Sequence, residues 1–398
     1  MIRGYKVKLH PNNKQKSKLN QCAGLARFAY NWALQRQQEN YKNGGKFIED
    51  GELRKEFTLL KKRQGYEWLN NYSNNIPKQA IKDACIAYDK FFKGLSEFPR
   101  FKSKRKSKPS FYVDTDKIQF TATHVKLEKL TLSKRRNRQK FNLVKLAEKS
   151  RIPVDIKYNN PRVTFDGLSW WIGIGSEKED QIVENSKEGI GVDVGVLDLA
   201  ICSDEVVYKN INKTDKVKKL QKRLKRQQRQ VSRKYEMNRS GNKYIKTNNI
   251  VKLENKIRKT HQRLTGIRHN YLHQTTSEII NRKPRFVVME NLNVSGMMRN
   301  RHLAKAIQEQ SLFELKRQME YKSEWNQVRF IEVGKFYPSS KLCSCCGHKK
   351  TDLKLSDRIY NCDNCGIEMD RDLNAAINLK NYGLKTMKEE SVTNSMTG

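Results

Sequence analysis

Two Cys-x-x-Cys pairs, Cys343/Cys346 and Cys362/Cys365, stand 15 residues apart and constrain this chain more than any other local feature. Thiols at that spacing bring four soft ligands to one tetrahedral centre, the arrangement of a four-cysteine zinc ribbon. Gly347 and Gly366 follow the two pairs and permit the tight turns that aim backbone amides at the thiolates. A redox Cys-x-x-Cys is the competing reading, and two matched knuckles argue against it. Cys345, inside the first knuckle, is expected to stay outside the ligand set. Cys22, Cys85 and Cys202 stand alone in apolar settings and read as packed thiols. Clustered thiols of this kind suit metal in a reducing cytoplasm rather than disulfides.

The charge balance is the second constraint. Against 42 acidic residues stand 81 Lys and Arg, a net charge of +39 at pH 7 in 398 residues. Self-repulsion on that scale opposes compactness unless a polyanion neutralises it. Nucleic acid is the expected partner, because each phosphate contact also releases condensed counterions. An acidic membrane surface and mere solubility are the competing explanations. Met1 to Leu9 alternates basic and apolar residues without an apolar core, so neither a signal peptide nor a membrane partner is expected.

The periodicity divides the chain. Tyr5 to Leu9 alternates like a half-buried strand. Lys14 to about Tyr41 turns helical, with Leu19, Cys22, Ala26, Tyr30, Ala33 and Leu34 on one face. Pro77 to about Leu95 predicts a second helix, gathering Ile81, Ala84, Tyr88, Phe91 and Phe92, and a basic irregular stretch runs from Phe98 to Pro109. Short strands then follow at 111–113, 117–120, 124–127, 153–156, 162–165 and 170–174, the spacing of a small sandwich or barrel. The first helices would be an insertion between two parts of that β domain. From Gly189 the order is three strands, long helices, strand, helix, strand, cysteine cluster, helix. Lys213–Tyr235 and Val251–Ile280 read as a basic helical hairpin with apolar stripes at Val217, Leu220 and Leu224 and at Leu253, Ile257, Leu264, Ile267 and Tyr271. Such a hairpin is either a solvated face or a phosphate-binding one, and the scarcity of acids on its first arm favours phosphate. The residues from about Met387 read as a frayed tail.

Three carboxylates are hard to explain by packing. Asp193 interrupts the apolar strand Gly189-Ile-Gly-Val-Asp-Val-Gly195, where an unpaired acid is costly. Gly191 and Gly195 would let another backbone or a ligand come close. Glu290 closes the strand Arg285-Phe-Val-Val-Met-Glu290, at the carboxyl end where ligands collect in open α/β sheets. Asp372 opens a helix whose Ala375, Ala376 and Leu379 share one face, suited to tight packing on a sheet. Hard oxygen donors from distant segments suit Mg²⁺ or Mn²⁺ and the two-metal hydrolysis of a phosphodiester. Asp370 competes with Asp372 as the helix cap, and Asp198 is a bystander acid nearby.

These segments together resemble the TnpB family of transposon-encoded RNA-guided nucleases. The resemblance rests on Gly191-Val-Asp-Val-Gly195 with Asp198-Leu-Ala200, Val288-Met-Glu-Asn-Leu-Asn-Val294, Leu303-Ala-Lys-Ala-Ile307, Ser340-Lys-Leu-Cys-Ser-Cys-Cys-Gly347 and Asp370-Arg-Asp-Leu-Asn-Ala-Ala376. Tyr30-Asn-Trp and Phe98-Pro-Arg-Phe-Lys-Ser-Lys104 extend it toward the N-terminus. It implies a multi-domain α/β plus β protein. Residues 1–10 and 109–185 would form a wedge-like β-barrel, with a helical recognition insertion at 11–108. Residues 186–338 and 367–386 would form a RuvC/RNase H-like nuclease, interrupted by a zinc ribbon at 339–366 and followed by a disordered tail at 387–398.

The resemblance further implies catalysis by Asp193, Glu290 and Asp372 with Mg²⁺, zinc on Cys343, Cys346, Cys362 and Cys365, and a guide RNA from the transposon's right end. That guide would direct cutting of target DNA beside a short target-adjacent motif, in the cytoplasm of a prokaryotic cell, by a monomer on its RNA or by a dimer. Expected nucleic-acid contacts are Lys78, Gln79, Lys82, Arg100, Lys102 and Lys104, with Lys218, Lys219, Lys222 and Arg226 on the hairpin. One departure stands out: Gln308 to Phe313 replaces the small residues and Trp that many relatives carry. Rival readings are a non-cleaving RNA-guided repressor and a guide-independent structure-selective nuclease or transposase accessory.

Overall fold

The computed structural model describes every residue except 1, 134, 155, 178–184, 186–187, 335, 355–356 and 397–398, and only the backbone at 136 and 391–396. The chain separates into two compact units, residues 1–179 and 180–398. The expected barrel–nuclease boundary at 185/186 falls on a residue outside the described ones.

The first unit holds β1 (Ile2–His10), α1 (Asn13–Lys42), α2 (Asp50–Leu60), α3 (Asn75–Phe92), β2 (Ser110–Tyr112), β3 (Gln119–Phe120), β4 (His124–Lys126), a short α4 (Arg136–Gln139), β5 (Leu143–Leu146), β6 (Tyr158–Phe165) and β7 (Trp170–Glu177). Its strands form one sheet in the order β2-β6-β7-β1-β5-β4-β3. The outer strands β2 and β3 are consecutive in sequence, and the six residues between them span at most about 25 Å. The sheet therefore rolls until its edges approach, and the Phe120 ring on β3 meets Tyr158 on β6 at 4.9 Å.

Helix α1 starts with a capping box, in which Asn12 and Gln15 exchange side-chain and backbone hydrogen bonds. The Gln15 amide also donates to the carbonyls of Phe141 and Leu143, tying the helix start to β5. All six residues of the predicted α1 face are buried, and burial pushes the Cys22 thiol up to about 12, as for an inert packed cysteine. On α3, however, Phe92 is 62% exposed, because it is the last residue of the helix and lies past the buried stripe that ends at Tyr88. Helix α2 and strand β5 escaped the periodicity analysis: each is short, and each buries only two or three side chains. The strand expected at 153–156 is absent at Pro153, Val154 and Ile156, while 155 lies outside the described residues.

The second unit contains β8 (Ile190–Val194), β9 (Asp198–Cys202), β10 (Val207–Lys209), α5 (Asp215–Met237), β11 (Arg239–Ser240), β12 (Lys243–Tyr244), α6 (Asn248–Asn281), β13 (Phe286–Glu290), α7 (Val294–Met297), α8 (Ala304–Gln310), α9 (Leu312–Trp325), β14 (Arg329–Val333), β15 (Ile359–Asn361), β16 (Glu368–Asp370) and α10 (Arg371–Met396). The main sheet runs β10-β9-β8-β13-β14. Strand β9 lies antiparallel to both β10 and β8, whereas β13 lies parallel to both β8 and β14. Strand β13 is buried on both faces, hence its unbroken apolar run. Val287 and Met289 join the core built with α6 and α9, while Phe286 and Val288 join Leu379 of α10.

Helix α10 lies flush against that second face. A Cβ added to Gly191 would come within 2.0 Å of the Ala376 carbonyl and 2.5 Å of the Lys380 amide. Gly195 meets no such constraint, since an added Cβ would approach only the Asp198 carbonyl, at 3.4 Å. The tail expected from Met387 is instead a continuation of α10 through Met396. Met387 packs against the Phe286 core and Arg329 pairs with Glu390 at 2.8 Å, contacts that hold those turns in the helix. Helices α5 and α6 form the predicted hairpin, closed over Val217, Leu220 and Leu264 and by a buried hydrogen bond from Thr260 to Gln227.

Candidate metal centre and carboxylate site

Four thiols converge in the segment between β14 and α10. The ligand atoms of Cys343, Cys346, Cys362 and Cys365 all lie within 4.8 Å of one another. Two sulfur pairs, Cys343–Cys365 and Cys346–Cys362, are each 3.6 Å apart. A tetrahedron with zinc–sulfur bonds of about 2.3 Å has edges of about 3.8 Å, so the donor set fits zinc closely.

The two knuckles are built alike. The amides of Gly347 and Gly366 donate to the carbonyls of Cys343 and Cys362, at 2.9 and 3.0 Å. Both glycines have positive φ, +75° and +71°, which only glycine adopts without strain. Cys343 and Cys362 donate in turn to the carbonyls of His348 and Ile367. Cys345 is exposed and lies outside the set. Protein purified without chelator should carry about one zinc per chain. Cys362→Ser should lose it, as read by elemental analysis, together with the ribbon's fold.

The carboxylates come together by register. Strands β8 and β13 pair in parallel with Val192 opposite Met289, so the next residues, Asp193 and Glu290, stand side by side. Side chains alternate along a strand. Both acids therefore face the α10 side, as do Gly191 and Val288. Asp372 lies in the first turn of α10. Burial, followed by the charges of Glu290 and Asp372, holds the Asp193 carboxyl well above the usual range, with Arg371 opposing. A buried acid crowded by two neighbouring carboxylates forms a donor set whose repulsion a divalent cation would relieve. They are less tightly gathered than the thiols, which among the described residues are alone in meeting the 4.8 Å condition.

Each acid has further partners. Asp372 is held by Arg371 at 3.0 Å and by Arg358 at 3.8 Å. Glu290 accepts from the Ser339 hydroxyl. Asp370 caps α10, accepting from the amides of Asp372 and Leu373 at 2.9 and 3.0 Å. Asp198 pairs with Lys209 at 3.2 Å.

Known proteins align with this architecture along its length. Profiles described as "Cas12f1-like, TNB domain" and "Probable transposase" match residues 313–379 and 174–301. InsQ of Escherichia coli K12, which carries a provisional name as an RNA-guided DNA endonuclease, is 30% identical over 395 residues, covering 95% of this chain and 91% of InsQ. The chain belongs to the TnpB family. A Streptomyces pristinaespiralis protein, provisionally named in the same way, is 28% identical over 96% of this TnpB chain and 89% of its own. A third profile, "Helix-turn-helix domain", matches residues 1–46. Among the described residues that span holds one strand and one helix, β1 and α1. Solved structures aligned with this TnpB chain include the mini-RNA-guided endonuclease CRISPR-Cas_phi3, with TM-score 0.46 and 11% identity over 95% of this chain and 92% of that one. A Cas12f1–sgRNA–target DNA complex gives 0.35 and 14% over 96% and 99%.

The remaining expected site residues of this TnpB protein are scattered. Lys218, Lys219, Lys222 and Arg226 are all exposed on α5, whose buried side is Val217, Leu220 and Gln227. Lys78 and Lys82 are exposed on α3, whereas Gln79 is half-buried and donates to Asp83. Lys104 is exposed, and Arg100 pairs with Glu97 at 2.7 Å. Lys102 is half-buried. Its ammonium lies 3.5 Å from the centre of the Tyr30 ring, and burial lowers its pKa.

Several residues escaped the sequence analysis. Gln310 is buried and donates to the carbonyls of Gly195 and Val196, bracing the turn after Asp193. Ser339, Asn374 and Asn378 are buried beside the ribbon. For the two asparagines a signal existed, since polar residues four apart within an alanine-rich helix face are costly unless bonded.

Proposed function

We propose that this TnpB protein is an RNA-guided DNA endonuclease whose cutting site is formed by Asp193, Glu290 and Asp372. The single observation that carries the reading is the convergence of these acids, from β8, β13 and α10, on one face of the β10-β9-β8-β13-β14 sheet. Three antiparallel strands continued by two parallel ones, with the acids at the centre, is the plan of an RNase H-like (RuvC) domain. We assign that domain to residues 186–338 and 367–386, with the ribbon between its two parts. The rolled sheet of the first unit is read as the wedge-like barrel, and α1 to α3 as its recognition insertion.

The three carboxylates would hold Mg²⁺ or Mn²⁺, which would supply Lewis acidity to water and to the leaving oxygen of a phosphodiester. The chain's own residues supply placement. Parallel pairing of β8 with β13 keeps Asp193 beside Glu290, the Asp370 cap fixes the start of α10, and Ser339 orients Glu290. Zinc on the four thiolates would hold the ribbon together.

Sequence choice would lie in base pairing with a guide RNA from the transposon's right end, which leaves the protein to provide basic channels and to read a short target-adjacent motif. The charge of +39 fits that division of labour. Lys78, Gln79 and Lys82 on α3 are the proposed motif-facing group. Protein purified from cells should carry a discrete RNA, and sequencing it should return one transposon-end species. A heterogeneous cellular mixture would contradict the reading.

The hairpin carries a separate expectation. Neutralising Lys218, Lys219, Lys222 and Arg226 together should lower the log–log salt slope of non-target DNA binding by about 3 to 4 if all four meet phosphates. An unchanged slope would make α5 a solvated face.

A further inference from the structure

A chain of buried hydrogen bonds joins the ribbon to the carboxylates. Asn374 and Asn378 stand one turn apart on α10 and are 0% and 4% exposed. Asn374 accepts through Oδ1 from the Ser344 amide at 2.9 Å and donates through Nδ2 to the Leu342 carbonyl at 2.7 Å. Asn378 donates through Nδ2 to the carbonyls of Leu342 and Ser339, at 2.7 and 2.8 Å. Ser339, itself 3% exposed, gives its hydroxyl proton to Oε1 of Glu290. Ser344 lies inside the first knuckle, and Leu342 directly precedes Cys343. The path therefore runs from the helix that Asp372 opens, through the base of the ribbon, to Glu290.

Only one orientation of each amide fits these partners, because both Nδ2 atoms face carbonyl oxygens. An aspartate in either position would set a carboxylate oxygen against them. The Asn374 contacts thus brace the first knuckle, and the Asn378 contacts brace the segment from which Ser339 reaches Glu290.

Resting on the reading of the three acids as a divalent-cation site, we propose that Ser339, Asn374 and Asn378 are positioning residues that couple the ribbon to that site. The folded ribbon holds α10 in register and Glu290 in one orientation, and breaking the link loosens the cation without removing any ligand. Outer-shell hydrogen bonds of this kind are typically worth about 10- to 100-fold in metal affinity. Linkage is reciprocal, so filling the ribbon with zinc tightens the carboxylate site by the same factor that the cation tightens the ribbon.

The test uses Mn²⁺ alone, titrated into full-length zinc-loaded protein and followed by the EPR signal of the free ion. Ser339→Ala and Asn378→Asp should each weaken Mn²⁺ binding about tenfold or more, while Ser339→Thr, which keeps the hydroxyl, should restore it. Zinc content is measured alongside; should Asn378→Asp release zinc, Ser339→Ala, which touches no thiol, still reports on the link. Unchanged Mn²⁺ affinity in zinc-loaded Ser339→Ala and Asn378→Asp would overturn the proposal, as would a Ser339→Thr as weak as Ser339→Ala. A different failure, Mn²⁺ binding indifferent to Asp193→Ala, would overturn the carboxylate reading itself and the coupling with it.

Discussion

Asp193→Ala is expected to slow DNA cutting by at least about a thousandfold while leaving RNA binding nearly intact. The charged groups that act on this acid are Glu290, Asp372, Arg371 and Asp370, three of them acidic. Removing it therefore relieves repulsion in the metal-free protein, so folding should not suffer. What disappears is one of three negative charges that hold a divalent cation against the phosphodiester. Glu290→Ala and Asp372→Ala should behave alike. Double replacements should be scarcely worse than single ones, because each loss already disorganises the shared site. Asp370→Ala is the internal contrast. Its carboxylate caps α10 rather than ligating, so its loss is expected to cost about 1 kcal/mol of stability and leave cutting largely in place. Plasmid cleavage with Mg²⁺, alongside gel-shift binding of the RNA, separates these outcomes. Robust cutting by Asp193→Ala would remove the carboxylate site from the account.

Gly191→Ala should be strongly destabilising. The added carbon would sit 2.0 Å from the Ala376 carbonyl and 2.5 Å from the Lys380 amide, both backbone atoms that cannot rotate away. Helix α10 would have to lift from β8 by more than an ångström, costing roughly 3 kcal/mol or more of stability. Because α10 carries Asp372, cutting should fall even under conditions where the variant stays folded. Gly266→Ala provides the opposite sign. It lies exposed within α6 with nothing within 4 Å of an added Cβ, so it should stabilise by about 0.5 to 1 kcal/mol through helix propensity. Urea midpoints of the two variants measure both effects. A Gly191→Ala protein as stable as the parent would contradict the close packing of α10 on the sheet.

The parts of this architecture that were legible in the sequence depend on residue type and short spacing. Knuckle glycines, thiol spacing and an acid closing a strand buried on both faces are local signals, and each follows from rules that act within a few residues. Gly191 was legible for the same reason, although Gly195 beside it met no close neighbour. What was not legible depends on partners far along the chain. Lys102 reads as one more cation in a basic stretch, and only the Tyr30 ring, 72 positions earlier, makes it an inward packing residue. Ser339 looks like a loop hydroxyl until Glu290 is folded against it. The continuation of α10 past Met387 is likewise accompanied by distant contacts, of Met387 with the Phe286 core and of Glu390 with Arg329. Strand β5 shows too little alternation to stand out, yet it pairs with both β1 and β4.

Base pairing with the guide, not protein side chains, is expected to choose where this chain cuts. The most direct test reconstitutes the protein with its copurified RNA, then replaces the guide portion with an unrelated sequence. Cleavage is mapped on a plasmid carrying both targets beside the same flanking motif, in Mg²⁺. The cut is expected to move from the first target to the second with the guide, and Asp193→Ala is expected to cut neither. Cutting that stays at one site whichever guide is bound, or that proceeds without RNA, would contradict that expectation.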